Sequence, residues 1–303
     1  MNTLVIRALI KRLAVPGFLG LAVLAAACSE RNVLAPPDGV RCTVGTGAPA
    51  LGKPDTLTGE TSNGRCERFS HAYRNMLPSE SWTLRLEAHA AYAIRLEPVE
   101  VTPGVYRFNG ALAAYTRNTA GDPVIAALGL LAFEGERAVG ELLLATDSAR
   151  EVSLRVESIG IQNTGPYRLI VQRCPLTLVP LDSVVRGVRS TDGCLTRHTL
   201  NAARRLTFFA TPVTTPQQVA FHAERASGTA SLRARVSGPA LDLMQTVERS
   251  LLMTTASAGS AQRIVANIDT PGLYVHTIAT HPDSAATIDV VAQSPITFRK
   301  RMP

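Results

Sequence analysis

Apolar residues along this chain recur at every second position, the spacing of a strand with one face in a core. Trp82, Leu84, Leu86 and Ala88 alternate with Thr83, Arg85 and Glu87, and Tyr92, Ile94 and Leu96 with Ala93 and Arg95. The same beat runs through Val152, Leu154 and Val156 against Ser153 and Arg155, and through Tyr167, Leu169 and Val171 against Arg168 and Ile170. Val219, Phe221 and Ala223, then Leu232, Ala234 and Val236, repeat it later. Each strand should send its first row to a core and its second row, often Arg or Glu, to water. Many short alternating strands separated by Pro and Gly turns predict an all-β chain of antiparallel sandwiches. Ala240 to Met253 supports two readings, because Leu241, Met244, Val247 and Leu251 are also helix-spaced.

The pattern occurs twice. Cys42 and Cys66 bracket Leu51 to Gly59 (LGKPDTLTG) and an Asn63-Gly64 turn. Cys174 and Cys194 bracket Leu181 to Gly187 (LDSVVRG) and an Asp192-Gly193 turn. The copies also end alike: Ser153 to Gln172 (SLRVESIGIQNTGPYRLIVQ) matches Tyr274 to Gln293 (YVHTIATHPDSAATIDVVAQ) without gaps. Weak identity with matched layout is what an old tandem duplication leaves. The first domain is therefore expected over 42–173 and the second, more divergent, over 174–293, with a basic tail over 294–303. Each is large enough to bury a core of its own, so separate melting transitions are expected.

The N-terminal 27 residues carry Arg7, Lys11 and Arg12 and no acidic residue, followed by an apolar run from Leu13 to Ala27. These are the parts of a secretory signal. The run is short beside the roughly 20 residues a spanning helix needs. Leu24-Ala25-Ala26-Ala27-Cys28 resembles a bacterial lipobox, with alanine at the third position before the cysteine. The resemblance implies cleavage before Cys28, diacylglycerol on its sulfur, an acylated new N-terminus and a tether over 28–41. Several acyl chains together give stable anchoring, since each buried methylene adds about 0.8 kcal/mol. Ser29 stands where an aspartate would favour inner-membrane retention, which points to the outer membrane.

Export changes how the cysteines and the charge are read. Four cysteines follow Cys28, an even number that favours disulfides over metal ligands in an oxidising compartment. Of three possible pairings, the duplication favours Cys42–Cys66 and Cys174–Cys194. The net charge of +7 falls to +4 without the leader, and to about +1 over 28–298 once Arg299, Lys300 and Arg301 are set aside. Nucleic-acid binding needs a basic face, and no cluster in the body of the chain supplies one. The 28 arginines beside three lysines are scattered.

A polar strand ending in glycine, a core strand after a polar loop (Trp82 to Leu96), and a closing hairpin from Val152 to Val171 with Thr164-Gly165-Pro166-Tyr167 resemble the bacterial pre-peptidase C-terminal domain. The resemblance covers 42–173 and extends more loosely to 174–293, where Ala285-Ala286-Thr287-Ile288 replaces the Thr-Gly-Xaa-Tyr motif. It implies a jelly-roll-like β-sandwich with binding or secretion-related roles. No adjacent aspartates are present to carry a calcium inference.

Catalytic signatures are few. Of the six histidines, His71, His89, His198, His222, His276 and His281, none lies in an HExxH pattern. His222 and His276 fall on the polar rows of their strands and are expected in solvent; His276 and His281 flank a turn near Asp283 that offers at most a loop metal site. Serine elbows and phosphate-cradling glycine loops are absent. Glu134, Glu136 and Glu141 group around Gly135 and Gly140 as a polar turn would, although paired carboxylates need only meet in space. Trp82 is expected in the core, while Tyr73, Tyr106 and Tyr115 are open to either face and nothing groups them. The expectation is a non-catalytic envelope lipoprotein without cofactor, binding or scaffolding an envelope protein, polymer or membrane complex. The alternatives are a hydrolase with convergent carboxylates and a carbohydrate-binding module.

Overall fold

The computed structural model describes residues 43–47, 54–62, 66–70, 74–117, 123–134, 137–160, 162–196, 204–239, 251–254 and 259–294. The leader, Cys28, Cys42 and the tail from 295 onward lie outside them, as do His71, Tyr73, Glu136, His198 and 240–250. The chain is all-β, as its two-residue periodicity requires, with a single 3-10 turn at Ser190–Asp192 among the described residues.

The first sandwich is built from β1 (Thr43–Gly47), β2 (Asp55–Glu60), β3 (Glu67–Ser70), β4 (Asn75–Leu86), β5 (Ala90–Pro98), β6 (Glu100–Thr102), β7 (Val105–Tyr106), β8 (Gly110–Arg117), β9 (Pro123–Leu128), β10 (Leu130–Glu134), β11 (Arg137–Thr146), β12 (Arg150–Ser158) and β13 (Pro166–Cys174). One sheet runs β1-β4-β12-β8-β9 with β3 also on β4; the other runs β10-β11-β5-β13-β2. Between them lie Trp82, Leu84, Tyr92, Ile94, Leu96, Phe108, Leu112, Leu142, Leu144, Leu154, Val156, Tyr167 and Leu169.

The second sandwich comprises β14 (Leu176–Leu178), β15 (Ser183–Arg189), β16 (Cys194–Thr196), β17 (Arg204–Val213), β18 (Gln217–Gly228), β19 (Arg233–Gly238), β20 (Leu251–Thr254), β21 (Ala261–Ile268), β22 (Gly272–Thr280) and β23 (Ala286–Gln293). Its sheets run β14-β17-β22-β19-β20, with β16 on β17, and β15-β23-β18-β21. This repeats the first plan strand for strand, down to the parallel pairing of β1 with β4 and of β14 with β17. The small β6–β7 pair and β10 have no counterparts among the described residues. Leu251–Thr254, in the stretch with two readings, is a strand.

The gapless match of the two endings holds for only one of its two strands. Tyr167, Leu169 and Val171 face the first core as Ile288, Val290 and Ala292 face the second. One strand earlier the match slips by a residue: Leu154 faces its core, whereas the aligned Val275 faces away and Tyr274 takes the core position. A one-residue slip inverts every side chain of a strand, so the hairpin loops differ in length.

The two sandwiches do not meet as beads on a string. A third apolar cluster joins Ala91, Ala93, Leu143 and Ala145 of the first to Leu206, Phe208, Ala210, Leu273, Val275 and Ala279 of the second. The outward face of β11-β5 is thus pressed on the outward face of β17-β22, and four sheets stack in sequence. Rows expected in water are buried here: Ala93 is 8% exposed and the Arg95 side chain 13%. Strands covered on both faces read as near-continuous apolar runs rather than alternating ones, and Ala90 to Ala93, Leu142 to Ala145 and Phe208 to Ala210 are such runs. Cys174 closes β13, yet its sulfur is bonded to Cys194 in the second sandwich and both lie in this seam.

Tyr167 explains the glycine at the end of the polar strand β2. Its hydroxyl accepts a hydrogen bond from Trp82 Nε1 at 2.9 Å and donates to Glu80 Oε2 at 2.6 Å. Gly59 pairs with Tyr167 across the β2–β13 ladder, and a Cβ there would overlap both the hydroxyl and the Glu80 carboxylate. Burial, then the Glu80 hydrogen bond and charge, push the phenol above its ordinary pKa and keep it the donor. Gly59→Ala should lower stability by about 1–3 kcal/mol by breaking this relay, measured as a drop in urea midpoint. An unchanged midpoint would show that the relay is not held by the glycine.

Candidate functional site

The outward face of β4, β12 and β8 carries a groove of about 810 Å³, lined by Arg68, Thr83, Tyr115, Arg117, Arg150, Glu151, Ser153 and Arg155 among others. Strand alternation places these side chains. With Val152, Leu154 and Val156 committed to the core, Glu151, Ser153, Arg155 and Glu157 must point outward. Register then decides their depth. Arg155 lies between Ser81 on β4 and Ala113 on β8, and Glu157 between Ser79 and Ala111. Small neighbours on both sides leave a trough in which two long polar side chains lie down.

Arg155 is only 8% exposed, against the expectation that its row faces water. Its guanidinium stacks over the Tyr115 ring at 4.0 Å, a cation–π contact worth about 0.5–2 kcal/mol depending on desolvation. Glu157, 1% exposed, accepts from Ser70 Oγ at 2.5 Å and from Tyr115 Oη at 3.2 Å, and Arg155 Nη1 stands 3.6 Å away. Tyr115, whose face the sequence left open, is buried because it closes this cluster. Arg68 reaches the cluster from β3 and donates to Ser81 Oγ at 3.1 Å. At the rim, Arg150 pairs with Asp147 at 2.6 Å and Arg85 with Glu151 at 3.1 Å, both open to solvent; such pairs contribute little to stability. The site is a groove with fixed guanidinium groups in its floor and hydroxyls along its walls, suited to holding an anionic, hydroxyl-rich ligand.

Other candidates fall elsewhere. The Cys174–Cys194 disulfide is formed. Cys66 is disulfide-bonded too, while Cys42 and Cys28 lie outside the described residues. Trp82 is in the core, as expected. His276 is not in solvent: it is 1% exposed and meets Phe221 edge-on with ring centroids 5.8 Å apart. It lies on the core row of β22 between Tyr274 and Ile278, the row that the one-residue slip exchanged. His222 remains partly exposed, and His281 sits 3.7 Å from Asp283 in the following turn. With His276 turned inward these do not converge. No group of three His, Cys, Asp or Glu suited to a metal occurs among the described residues.

The buried carboxylates are spread over two sheets and tied to cations. Glu97 is held by Arg95 at 2.7 Å and by Arg168 at 2.5 Å. Glu141, read as part of a turn, is instead 2% exposed and directly opposite Arg95 in the β11–β5 ladder. Arg68, Arg155 and Glu157 were not distinguishable as site residues from sequence. The signal that places them is the cross-strand register with Ser81 and Ala113, which no single strand contains.

No family model matches the chain, and no curated protein matches it in sequence. Among solved structures it is similar to the tandem CBM22-1–CBM22-2 domains of Paenibacillus barcinonensis Xyn10C, at 11% identity and a TM-score of 0.23, over 79% of this chain and 91% of that one. PNGase F, a glycosylasparaginase from Flavobacterium meningosepticum, is similar at 9% identity and TM-score 0.23, over 79% and 96%. The ANX2 ectodomain from Arabidopsis thaliana is similar at 9% and 0.24, over 81% and 92%. At these scores the likenesses carry no argument about activity.

Proposed function

We propose that this chain is a non-catalytic envelope lipoprotein, tethered through Cys28, that acts as a binding or scaffolding module for an envelope polymer or complex. The observation that carries the proposal is the groove on the first sandwich, where buried Glu157 and Tyr115 hold Arg155 in one orientation. Holding a guanidinium in place before a ligand arrives lowers the ordering cost of binding. The seam adds a second support. It uses the face of the second copy (β17-β22) that corresponds to the groove face of the first (β4-β12). That face of the fold therefore already serves as a docking surface once within the molecule. The lipobox and the pre-peptidase C-terminal resemblance agree with an anchored binding protein.

Cys28→Ala should move the protein from the detergent phase to the aqueous phase or stall its processing. In intact envelopes, a photo-crosslinking residue at Thr83, in the groove, should give a discrete adduct, and one at Val265, on the exposed row of β21, should not. Wild-type protein in the aqueous phase would remove the anchor, and absence of a Thr83 adduct would remove the groove as the binding face.

A further inference from the structure

Arg68 differs from the other cations of the groove. It is half-buried, and among the described residues the Ser81 hydroxyl is its only hydrogen-bond partner. Among the described residues no carboxylate pairs with it. Burial, and next the positive charge of Arg155, pull its pKa below the ordinary guanidinium value. Of the carboxylates around the groove, Glu151 pairs with Arg85, and Glu157 is engaged by Ser70, Tyr115 and Arg155. Neither carboxylate reaches Arg68, so among the described residues its positive charge is held partly away from water without a paired carboxylate. Such an arrangement is costly unless an anion completes it.

Resting on the binding reading above, we infer that Arg68 and Arg155 form a receptor for a carboxylate carried on an acidic glycan, whose chain lies along the groove. The geometry of a guanidinium fork matches a carboxylate through two parallel hydrogen bonds. The rest of the lining, Thr83, Thr116, Ser148, Ser153 and Glu151, offers hydroxyl and carboxylate groups of the kind that pair with sugar hydroxyls. Glu151 in the lining also selects against a doubly charged phosphate, since a singly charged carboxylate meets half that repulsion. One uncompensated charge calls for one negative charge per contact, and a chain of uronate residues supplies it in this form.

The full chain in detergent should be titrated calorimetrically at low salt with hexagalacturonate, with the same oligomer after its carboxyl groups are reduced to alcohols, and with inorganic phosphate. Hexagalacturonate is expected to bind, the reduced oligomer to bind at least about tenfold more weakly, and phosphate to give no comparable signal. Arg68→Gln should weaken hexagalacturonate binding about 10–100-fold, the loss expected for a hydrogen-bonded charge pair. Without ligand, the melting temperature of Arg68→Gln should hold or rise, because the substitution removes an unpaired charge. Equal binding of the reduced oligomer, phosphate binding as tight as hexagalacturonate, unchanged affinity in Arg68→Gln, a lower melting temperature in that variant, or no binding of hexagalacturonate at all would each overturn the assignment. If it fails while the Thr83 adduct still forms, the acidic-glycan assignment is wrong and the binding module stands; if both fail, the module itself is wrong.

Discussion

Replacing His276 by leucine should remove a large part of the fold's acid sensitivity between pH 6.5 and 3. His276 sits in the second core with neither ring nitrogen hydrogen-bonded among the described residues. Burial, with a smaller contribution from the charge of His222, pushes its pKa down to about 3. The unfolded chain takes up a proton near pH 6.5 and the folded chain does not. Stability from this group is therefore complete above pH 6.5 and falls as pH drops, levelling only near pH 3. The slope is about 1.4 kcal/mol per pH unit, or about 3 kcal/mol between pH 6.5 and 4.5. At neutral pH the leucine variant should also gain, since a buried ring nitrogen without a partner costs about 1–3 kcal/mol. Urea midpoints at pH 7 and 4.5 test both points. If wild type and variant lose stability in parallel on acidification, His276 is not the group responsible.

Phe208→Asp should split one melting transition into two. Phe208 is completely buried in the seam, on the face of β17 turned toward β5 and β11. Truncating a buried phenylalanine costs about 3–5 kcal/mol, and a carboxylate left without a partner adds to it. The core row of β17, with Phe209 and Val213, is untouched, so the cost falls on the contact between sandwiches rather than inside either one. Periodicity alone favours two units that melt separately; the seam couples them, and wild type should therefore show a single calorimetric transition. Two resolved transitions in wild type would mean that the seam adds too little to link them.

What could be read from the sequence was the property each strand carries by itself. Alternation identified the core rows of β4, β12 and β13, apart from Ala88, which lies exposed in the turn after β4, and the cysteine brackets marked two copies of one topology. What could not be read depends on a second surface. Whether Ala93 or Arg95 meets water is decided by β17 and β22, more than a hundred positions away in the chain. Arg155 and Glu157 look like ordinary outward residues until Ser81 and Ala113 are known to flank them. His276 was assigned to the wrong face because β22 is buried on both sides, one row in the second core and the other in the seam, so alternation within the strand could not choose between them.

The parallel pairing of β1 with β4 has a mechanical consequence. Under the proposed anchoring, tension enters the protein at the N-terminal end of β1, and a ligand in the groove resists it at β12. With Cys42 bonded to Cys66 as expected, the load divides between the β1–β4 ladder and, through the disulfide, the β3–β4 ladder, and both reach β12 through β4, so the line of force stays in one sheet. The second sandwich, attached through the opposite sheet, hangs outside that line. Pulling on the tether should strain the groove sheet long before the seam, and the ladders that β4 makes with β1 and β3 together set the load at which the protein yields.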